Sequence, residues 1–250
     1  MGVGSIGIIG YGHFGRFLHR MAERFLPDVS VRVHTRSRRP GEESHFTTLE
    51  AAVDSDILIL SVPISAYEDW LDRIKPLIDP RTIILDVATV KLHTGNAIRS
   101  ILPGQPYVST HPMFGQESYN KLGGDVTGLR IVVTESNLAD GILPPVLAEL
   151  RNLGFEVVET TADQHDREMA ETLFLTHYVA QVIAQGGFER TDIDTVSFGF
   201  LMDAVDAVRQ DTKLFADVWR FNPYCRDVVK RFDTSERAVK NNYLSLSDDA

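Results

Sequence analysis

A glycine-rich segment between a predicted strand and a predicted helix constrains the fold of this chain more than any other feature. The apolar run 5–9 leads into Gly10-Tyr11-Gly12-His13-Phe14-Gly15, and apolar residues then recur at helical spacing over 16–25. A second apolar run over 29–33 completes a β-α-β unit. In such a unit the first glycine allows a tight turn, the second lets the backbone approach a pyrophosphate, and the third lets the helix pack on the strand. The pattern predicts a dinucleotide site with the pyrophosphate at the helix N-terminus.

The loop after the second predicted strand indicates which dinucleotide binds. An NAD site places Asp or Glu about 20 residues past the glycines, where the carboxylate binds the ribose 2′-hydroxyl. Here that position falls in His34-Thr35-Arg36-Ser37-Arg38-Arg39, which contains arginines and hydroxyls but no acid. Guanidinium groups bind a phosphate through charge-assisted hydrogen bonds, whereas a carboxylate repels it. The loop therefore predicts NADP, and a merely solvated basic loop is the alternative.

The first part of the chain alternates strands and helices. Apolar runs predict further strands at 56–62, 81–87, 107–110, 129–135 and 155–160, and helices are predicted at 66–78, 93–102 and 143–153. Strands that are apolar on both faces indicate a parallel sheet covered by helices. We expect residues 1–160 to form an NADP-binding, Rossmann-type, doubly wound α/β domain. The candidate cofactor-binding residues are Gly10, Gly12, His13, Phe14, Gly15, Thr35, Arg36, Ser37, Arg38, Ser61, Val62 and Pro63.

Only helical patterns follow, at 162–185, 198–209, 213–219 and 225–243. Residues 161–250 are therefore predicted to form an all-helical domain that contributes to the substrate site and to dimerisation. The apolar content of its helices exceeds what one small domain would hide, which predicts a homodimer. The polar, acidic tail 245–250 is expected to fray.

Composition excludes several partners. The net charge of −10 argues against binding to nucleic acid or to an anionic membrane surface. The single cysteine, Cys225, excludes an internal disulfide and a cysteine-based metal site, and no other cluster predicts a metal. No apolar run approaches the length of a membrane span, and no targeting segment is visible. We expect a cytoplasmic protein, with import into an organelle before trimming as the alternative.

Polar residues follow two of the predicted strands, at the sheet edge where ligands of such folds bind. Asp86 is followed by Thr89 and Lys91, and the strand at 107–110 is followed by His111. A histidine with a pKa near neutrality can take a hydroxyl proton while hydride leaves the same carbon. A neighbouring threonine hydroxyl can hold the reacting oxygen.

These segments resemble the signature segments of prephenate/arogenate dehydrogenases. The resemblance is carried by Asp86-x-x-Thr89-x-Lys91, by His111-Pro112-Met113-Phe114-Gly115, by His165-Asp166-Arg167 and by Phe174-Leu175-Thr176-His177. Lys213-Leu214-Phe215-Ala216-Asp217 and Asn222-Pro223 also look like the helical domain of that family, so the likeness covers nearly the whole chain. The segment around His111 looks most like that of plant-type arogenate dehydrogenases and related bacterial enzymes.

The resemblance implies an oxidative decarboxylation of a cyclohexadienol with NADP. The substrate would be arogenate, giving tyrosine, or prephenate, giving 4-hydroxyphenylpyruvate. Of the two, the resemblance slightly favours arogenate. The implied catalytic residues are His111 as proton acceptor, Thr89 where the family usually has serine, and His177 as a substrate contact from the helical domain. The implied substrate-binding residues are Thr89, Lys91, His111, Gln116, Ser118 and His177.

Two other classes compete with this interpretation. One is another small NADP-dependent hydroxy-acid dehydrogenase with a helical second domain. Those enzymes usually carry a catalytic lysine on the interdomain helix, and the segment 164–185 has no lysine. The other is a non-enzymatic NADP-sensing protein, which would keep the glycines and arginines without needing Thr89, His111 and His177.

Overall fold

The computed structural model describes residues 3–244. The chain forms two compact units, which divide between His165 and Asp166. The sequence places the domain boundary at 160/161, and the two compact units divide a few residues later, inside a helix. The domain boundary itself stays a prediction. Residues 245–250, which we expected to fray, lie outside the described residues.

In the part of the first unit that the structure describes, seven strands form one sheet, in the order β2-β1-β3-β4-β5-β6-β7. The strands are β1 (Ser5–Ile9), β2 (Ser30–His34), β3 (Ile57–Leu60), β4 (Ile83–Asp86), β5 (Tyr107–Pro112), β6 (Arg130–Ser136) and β7 (Glu156–Glu159). The chain moves from β1 outward to β2 and then returns to β3 on the other side of β1. That reversal opens a crevice at the carboxyl ends of β1 and β3, which is the ligand site of open α/β sheets.

Apolar side chains cover both faces of this sheet. Ile8 and Ile9 are consecutive, so they point to opposite faces, and both are fully buried. Ile9 belongs to a cluster with Leu60 and Trp70, whereas Ile8 packs in a separate cluster with Phe46. The Rossmann-type doubly wound fold predicted from the sequence is confirmed.

One strand pair departs from the predicted parallel sheet. β5 and β6 pair antiparallel, while all other neighbouring strands are parallel. The segment after β5 turns back at the same edge, and the Met113 N–H donates to the Arg130 carbonyl at 2.9 Å. An antiparallel partner needs no crossover to the opposite edge, so residues 113–129 connect the two strands at the edge where β5 ends.

Among the described residues of the first unit, six helices lie wholly within it. They are α1 (His13–Phe25), α2 (Leu49–Val53), α3 (Tyr67–Ile74), α4 (Lys91–Ile101), α5 (Gln116–Lys121) and α6 (Leu143–Asn152). The short helices α2 and α5 were not predicted, because one or two turns carry too little periodicity to be recognised.

The second unit contains only helices among its described residues, as predicted. Helix α7 (Ala162–Met169) spans the division between the units; α8 (Leu175–Gln185), α9 (Val196–Val208), α10 (Thr212–Phe221) and α11 (Cys225–Val239) follow. The predicted helix over 162–185 contains a π-helical turn at Ala170–Phe174. The Thr172 hydroxyl donates to the Glu168 carbonyl there at 2.7 Å, a bond that competes with the regular helical pattern. A second π-helical turn, Lys240–Leu244, follows α11.

No helix in residues 3–244 is both long enough and apolar enough to cross a membrane.

Candidate active site

The glycine loop joins β1 to α1 in a conformation that requires its first glycine. Gly10 has φ of +100°, in the left-handed region that side chains disfavour. A Cβ atom at Gly10 would lie 2.1 Å from the Ser61 carbonyl oxygen, so the loop also packs directly on the chain after β3. The Gly10 N–H donates to the His34 carbonyl at 2.9 Å. The loop is thus held between the ends of β2 and β3.

The other two glycines differ in what surrounds them. A Cβ at Gly15 would lie 2.2 Å from the Gly10 carbonyl oxygen, whereas a Cβ at Gly12 would meet nothing within 4 Å. Gly15 is therefore needed for packing, and Gly12 leaves open space above the loop. Helix α1 begins at His13 with no acid in its first turn, and its first N–H groups have no acceptor within the helix. These features fit a pyrophosphate at this helix N-terminus.

The other predicted residues of this crevice are distributed over two surfaces. His13 is exposed on the first turn of α1, but Phe14 is half-buried and packs toward Phe17 with ring centroids 6.1 Å apart. The Ser61 N–H donates to the Ile9 carbonyl at 2.8 Å, which fixes the chain after β3. Val62 contributes partly to the apolar core, and Pro63 precedes the short 3₁₀ turn Ile64–Ala66. The Phe14 side chain thus packs on its own helix, and a cofactor contact by this residue stays a prediction.

The basic loop after β2 forms a compact turn. The Thr35 and Ser37 hydroxyl oxygens lie 3.1 Å apart, and the Ser37 N–H donates to the Thr35 hydroxyl at 3.3 Å. The Arg38 guanidinium pairs with Glu42 at 2.6 Å. Arg36 is exposed, and within residues 3–244 no carboxylate pairs with it. The loop thus offers hydroxyls and at least one guanidinium toward solvent.

A buried carboxylate organises the sheet edge at β4 and β5. Asp86 is fully buried and accepts hydrogen bonds from Lys91 Nζ at 2.6 Å and from the Thr94 and Ser109 hydroxyls at 2.7 and 3.0 Å. The Ala88 N–H donates to its second oxygen at 3.0 Å. Four donors compensate the carboxylate for its lost hydration, as a buried charge requires.

Lys91 serves this network. Its ammonium is fully buried and donates both to Asp86 and to the Thr110 carbonyl, the latter at 2.6 Å. Thr110 immediately precedes His111, so Lys91 fixes the backbone that carries the histidine. This interior position argues against the substrate contact that the resemblance implied for Lys91.

His111 lies within β5, because the strand extends to Pro112 instead of ending at residue 110 as predicted. Its ring is buried, and Nδ1 lies 2.9 Å from Nε2 of His165 at the start of α7. Burial, followed by the neighbouring His165 and Lys91, lowers the pKa of His111 well below its ordinary value of 6.5. His111 is therefore neutral around neutral pH and can accept a proton.

A β-bulge lies beside this histidine. The β5–β6 pairing shifts register between Ser109 and Thr110, and Thr134 is the extra residue on β6. The Thr134 hydroxyl donates to the Ser109 carbonyl at 3.3 Å. Bulges of this kind re-aim side chains and recur next to active sites.

His165 is the site residue whose role the sequence did not reveal. The start of α7 is capped by the Thr161 hydroxyl, which accepts from the Gln164 N–H at 3.2 Å. The His165 ring instead meets His111, with centroids 5.1 Å apart. The His165-Asp166-Arg167 segment was the available signal, although it carried no indication of this contact.

The remaining predicted residues of the first unit lie near this edge in different environments. Thr89 is half-buried in the bend before α4. Gln116 begins α5, where it accepts from the Arg20 guanidinium and donates to Asn120 at 2.6 Å. Ser118 is exposed on α5. Gln116 is thus already engaged within the protein.

His177 belongs to the second unit. It is buried, and its Nδ1 has no hydrogen-bond partner among residues 3–244. Its ring is parallel to Phe215, with centroids 6.4 Å apart and an angle of 6° between the planes. Burial lowers the pKa of His177, and Asp211 opposes this only in part. The unpaired Nδ1 of His177 is available for a further hydrogen bond, and the substrate contact of this residue stays a prediction.

No group of three metal-ligating side chains occurs in residues 3–244. Cys225 is buried, and burial raises the pKa of its thiol to about 12, so it is not a reactive thiolate.

Known proteins resemble this chain across both units. Residues 22–125 match the family model of the prephenate dehydrogenase nucleotide-binding domain. Arogenate dehydrogenase 1, chloroplastic, of Arabidopsis thaliana is 27% identical over 94% of this chain, which spans only 38% of that relative's length. The cyclohexadienyl dehydrogenase of Zymomonas mobilis is 24% identical, covering 98% of this chain and 90% of the relative.

A solved structure extends the likeness to the fold. The prephenate dehydrogenase of A. aeolicus, in complex with hydroxyphenyl propionate and NAD+, superposes with a TM-score of 0.76 at 17% identity. The alignment covers 100% of this chain and 93% of that one. At this identity the likeness establishes a shared fold.

The glycine loop at the switch point of a largely parallel sheet defines a Rossmann-type dinucleotide-binding domain, here joined to a helical unit. The signature segments and the matches to known proteins point to the same group. The chain is similar to prephenate/arogenate dehydrogenases over nearly its whole length, and its residues 22–125 match their nucleotide-binding domain, in line with the sequence resemblance.

The two glycines provide a matched test of the dinucleotide site. Gly12→Ala should leave the unfolding free energy within about 1 kcal/mol of the unmodified protein, because the new methyl group meets open space. It should nevertheless weaken binding of the nicotinamide dinucleotide at least tenfold, since the methyl group occupies the approach to the backbone. Gly15→Ala should instead lower stability. Urea unfolding and calorimetric titration would measure both, and unchanged dinucleotide binding by Gly12→Ala would contradict the assignment.

The Asp86–Lys91 pair predicts a large stability effect. Lys91→Met should lower the unfolding free energy by about 3–5 kcal/mol, because it leaves a buried carboxylate without its cation. The double variant Asp86→Asn, Lys91→Met should lose less, since no unpaired charge remains. Lys75→Met, at an exposed position, is the control and should cost less than about 0.5 kcal/mol. If Lys91→Met and Lys75→Met lowered the unfolding free energy equally in urea titrations, the stabilising role of the buried Asp86–Lys91 pair would be contradicted.

Proposed function

We propose that this protein catalyses the NADP-dependent oxidative decarboxylation of arogenate to tyrosine, or of prephenate to 4-hydroxyphenylpyruvate. The observation that carries the proposal is His111, a buried, neutral histidine at the carboxyl end of β5, with Nδ1 2.9 Å from His165. Similarity to known enzymes supports the reaction class, since the relatives named above include an arogenate dehydrogenase and a cyclohexadienyl dehydrogenase.

The His111–His165 contact is compatible with the tautomer that the reaction needs. If His111 carries its proton on Nδ1 and donates it to Nε2 of His165, then Nε2 of His111 keeps a free lone pair. That nitrogen accepts the proton of the substrate's 4-hydroxyl as hydride leaves the same carbon. His165 thereby positions the base, and it also favours the neutral form of His111.

The proton and electrons balance without a further group. When bound, the nicotinamide ring supplies the hydride acceptor. The electrons of the bond to the ring carboxylate complete the aromatic ring, and carbon dioxide leaves. His111 then returns the proton to the phenolate oxygen. Thr89 is proposed to hold the substrate oxygen or His111, and His177 to contact the substrate from the second unit.

NADP is proposed over NAD on the chemistry of the loop after β2. No acid stands at the position that binds a ribose 2′-hydroxyl, and Thr35, Ser37 and Arg36 offer donors to a 2′-phosphate. The first N–H groups of α1 and the open space at Gly12 fit the pyrophosphate. Arogenate is favoured slightly as the substrate, on the plant-type character of the segment around His111. A cytoplasmic location stays a prediction of the sequence.

A second copy of this chain is the partner we propose for the helical unit. The segment linking α8 to α9 and the start of α9 expose large apolar side chains, including Ile193 and Phe200 at 89% and 70% exposure. Exposed apolar residues that occur together mark interaction surfaces. An isologous pairing would cover the same residues on both copies.

The activity is tested by NADPH formation with arogenate and with prephenate. His111→Asn should lower turnover about 10²–10⁴-fold, the usual effect of losing a general base. The unmodified enzyme should lose activity only as pH falls below 6.5, because the lowered pKa keeps His111 neutral above that value. His111→Asn should lack this acid limb and still bind NADP. His93→Asn, a histidine on α4, serves as the control.

The outcomes of this experiment separate the competing functions. Turnover with a hydroxy acid but with neither cyclohexadienol would favour the other dehydrogenase class. Binding of NADP without any turnover would favour a sensor. An active His111→Asn enzyme with an unchanged pH profile would remove His111 from the mechanism.

The dimer is tested by light scattering at micromolar concentration. The unmodified protein should show the mass of two chains, and the double variant Ile193→Glu, Phe200→Glu should show one, because two charges would be buried at the interface. Val146→Glu is the matched control, since Val146 is an exposed apolar residue of the first unit. A monomeric, fully active unmodified protein would contradict the proposal.

A further inference from the structure

The loop that follows β2 contains an acid as well as its arginines. Glu42 lies in a turn closed by its own N–H, which donates to the Arg39 carbonyl at 3.1 Å. Gly41 adopts φ of +81° within this turn, and its N–H donates to the Phe46 carbonyl at 2.8 Å. Phe46 is buried in the core beside β2, so the turn is anchored to the sheet. The backbone thus holds the Glu42 side chain over the basic residues.

The Glu42 carboxylate uses donors of the kind that bind phosphate. One oxygen accepts from the Arg38 guanidinium at 2.6 Å, and the other accepts from the Arg39 N–H at 3.2 Å. The Arg39 N–H and the Arg38 side chain hold the pKa of Glu42 below its ordinary value. The loop therefore already binds one anion, supplied by the chain itself.

We propose that Glu42 is an internal competitor for the NADP 2′-phosphate and sets how strongly this protein discriminates NADP from NAD. The inference rests on the NADP site proposed above. A bound 2′-phosphate must either displace the carboxylate from Arg38 and the Arg39 N–H or sit beside it with like charge. NAD has no phosphate at this position and meets neither cost. Glu42 thus weakens NADP binding selectively and narrows the preference between the two cofactors.

The alternative is that Glu42 supports NADP binding by ordering the loop after β2. If Glu42 held Arg38 in the position that phosphate needs, its removal would weaken NADP binding. The two roles therefore predict changes of opposite sign, and the isosteric Glu42→Gln distinguishes them. The glutamine keeps the size of the side chain and removes the charge.

The experiment measures binding of 2′,5′-ADP and of 5′-AMP to the intact protein by calorimetric titration. Glu42→Gln should tighten 2′,5′-ADP binding about two- to fivefold, the scale of an exposed ion pair, and leave 5′-AMP binding unchanged. The ratio of kcat/KM for NADP to that for NAD should rise by the same factor. Glu42→Ala is the second variant, and thermal melting checks that each one folds.

Glu43→Gln is the matched control, because it removes the same charge from the neighbouring exposed residue. It should change 2′,5′-ADP binding less than Glu42→Gln does. Arg36→Ala should weaken 2′,5′-ADP binding, which checks the phosphate site independently. Unchanged or weaker 2′,5′-ADP binding by Glu42→Gln and Glu42→Ala would overturn the role of Glu42. If the unmodified protein binds 2′,5′-ADP no more tightly than 5′-AMP, the NADP proposal itself fails.

Discussion

The buried carboxylate of Asp86 is the constraint on which the sheet edge depends. Its position at the end of β4 would be costly for an isolated charge, so α4 and β5 must supply donors to it. Lys91, on α4, donates to the Asp86 carboxylate and also to the Thr110 carbonyl. Because the buried Asp86 carboxylate requires a cation, Lys91 is held where it also binds β5, the strand that carries His111. The same ammonium contributes to the lowered pKa of that histidine.

The cofactor crevice is built by close backbone approach. The Gly10 and Gly15 positions are closed by carbonyl oxygens at distances that no Cβ tolerates, whereas Gly12 is open. Packing thus accounts for Gly10 and Gly15, whereas Gly12 leaves space in which a ligand could approach the backbone. The dinucleotide site and the Asp86 network lie at the carboxyl ends of parallel strands, which share one edge of the sheet.

Neutral histidines recur in the candidate chemistry of both units. His111 and His177 are each buried, and burial lowers the pKa of each. They differ in their hydrogen bonds, because His111 lies against His165 while Nδ1 of His177 has no partner among the described residues. A base needs an orienting neighbour, whereas a substrate contact can keep its polar atom for the ligand.

Local sequence determined the glycine loop, the basic loop, the alternation of strands with helices, and the signature segments that resemble those of prephenate/arogenate dehydrogenases. These features depend on short spacings, which periodicity and backbone geometry translate directly into structure. Tertiary structure alone decided that Lys91 is buried on Asp86, that His165 meets His111 from 54 residues away, that β6 runs antiparallel, and that Glu42 folds back onto Arg38. Each of these depends on which donors and acceptors the folded chain brings together, and local sequence patterns do not show which distant residues will meet.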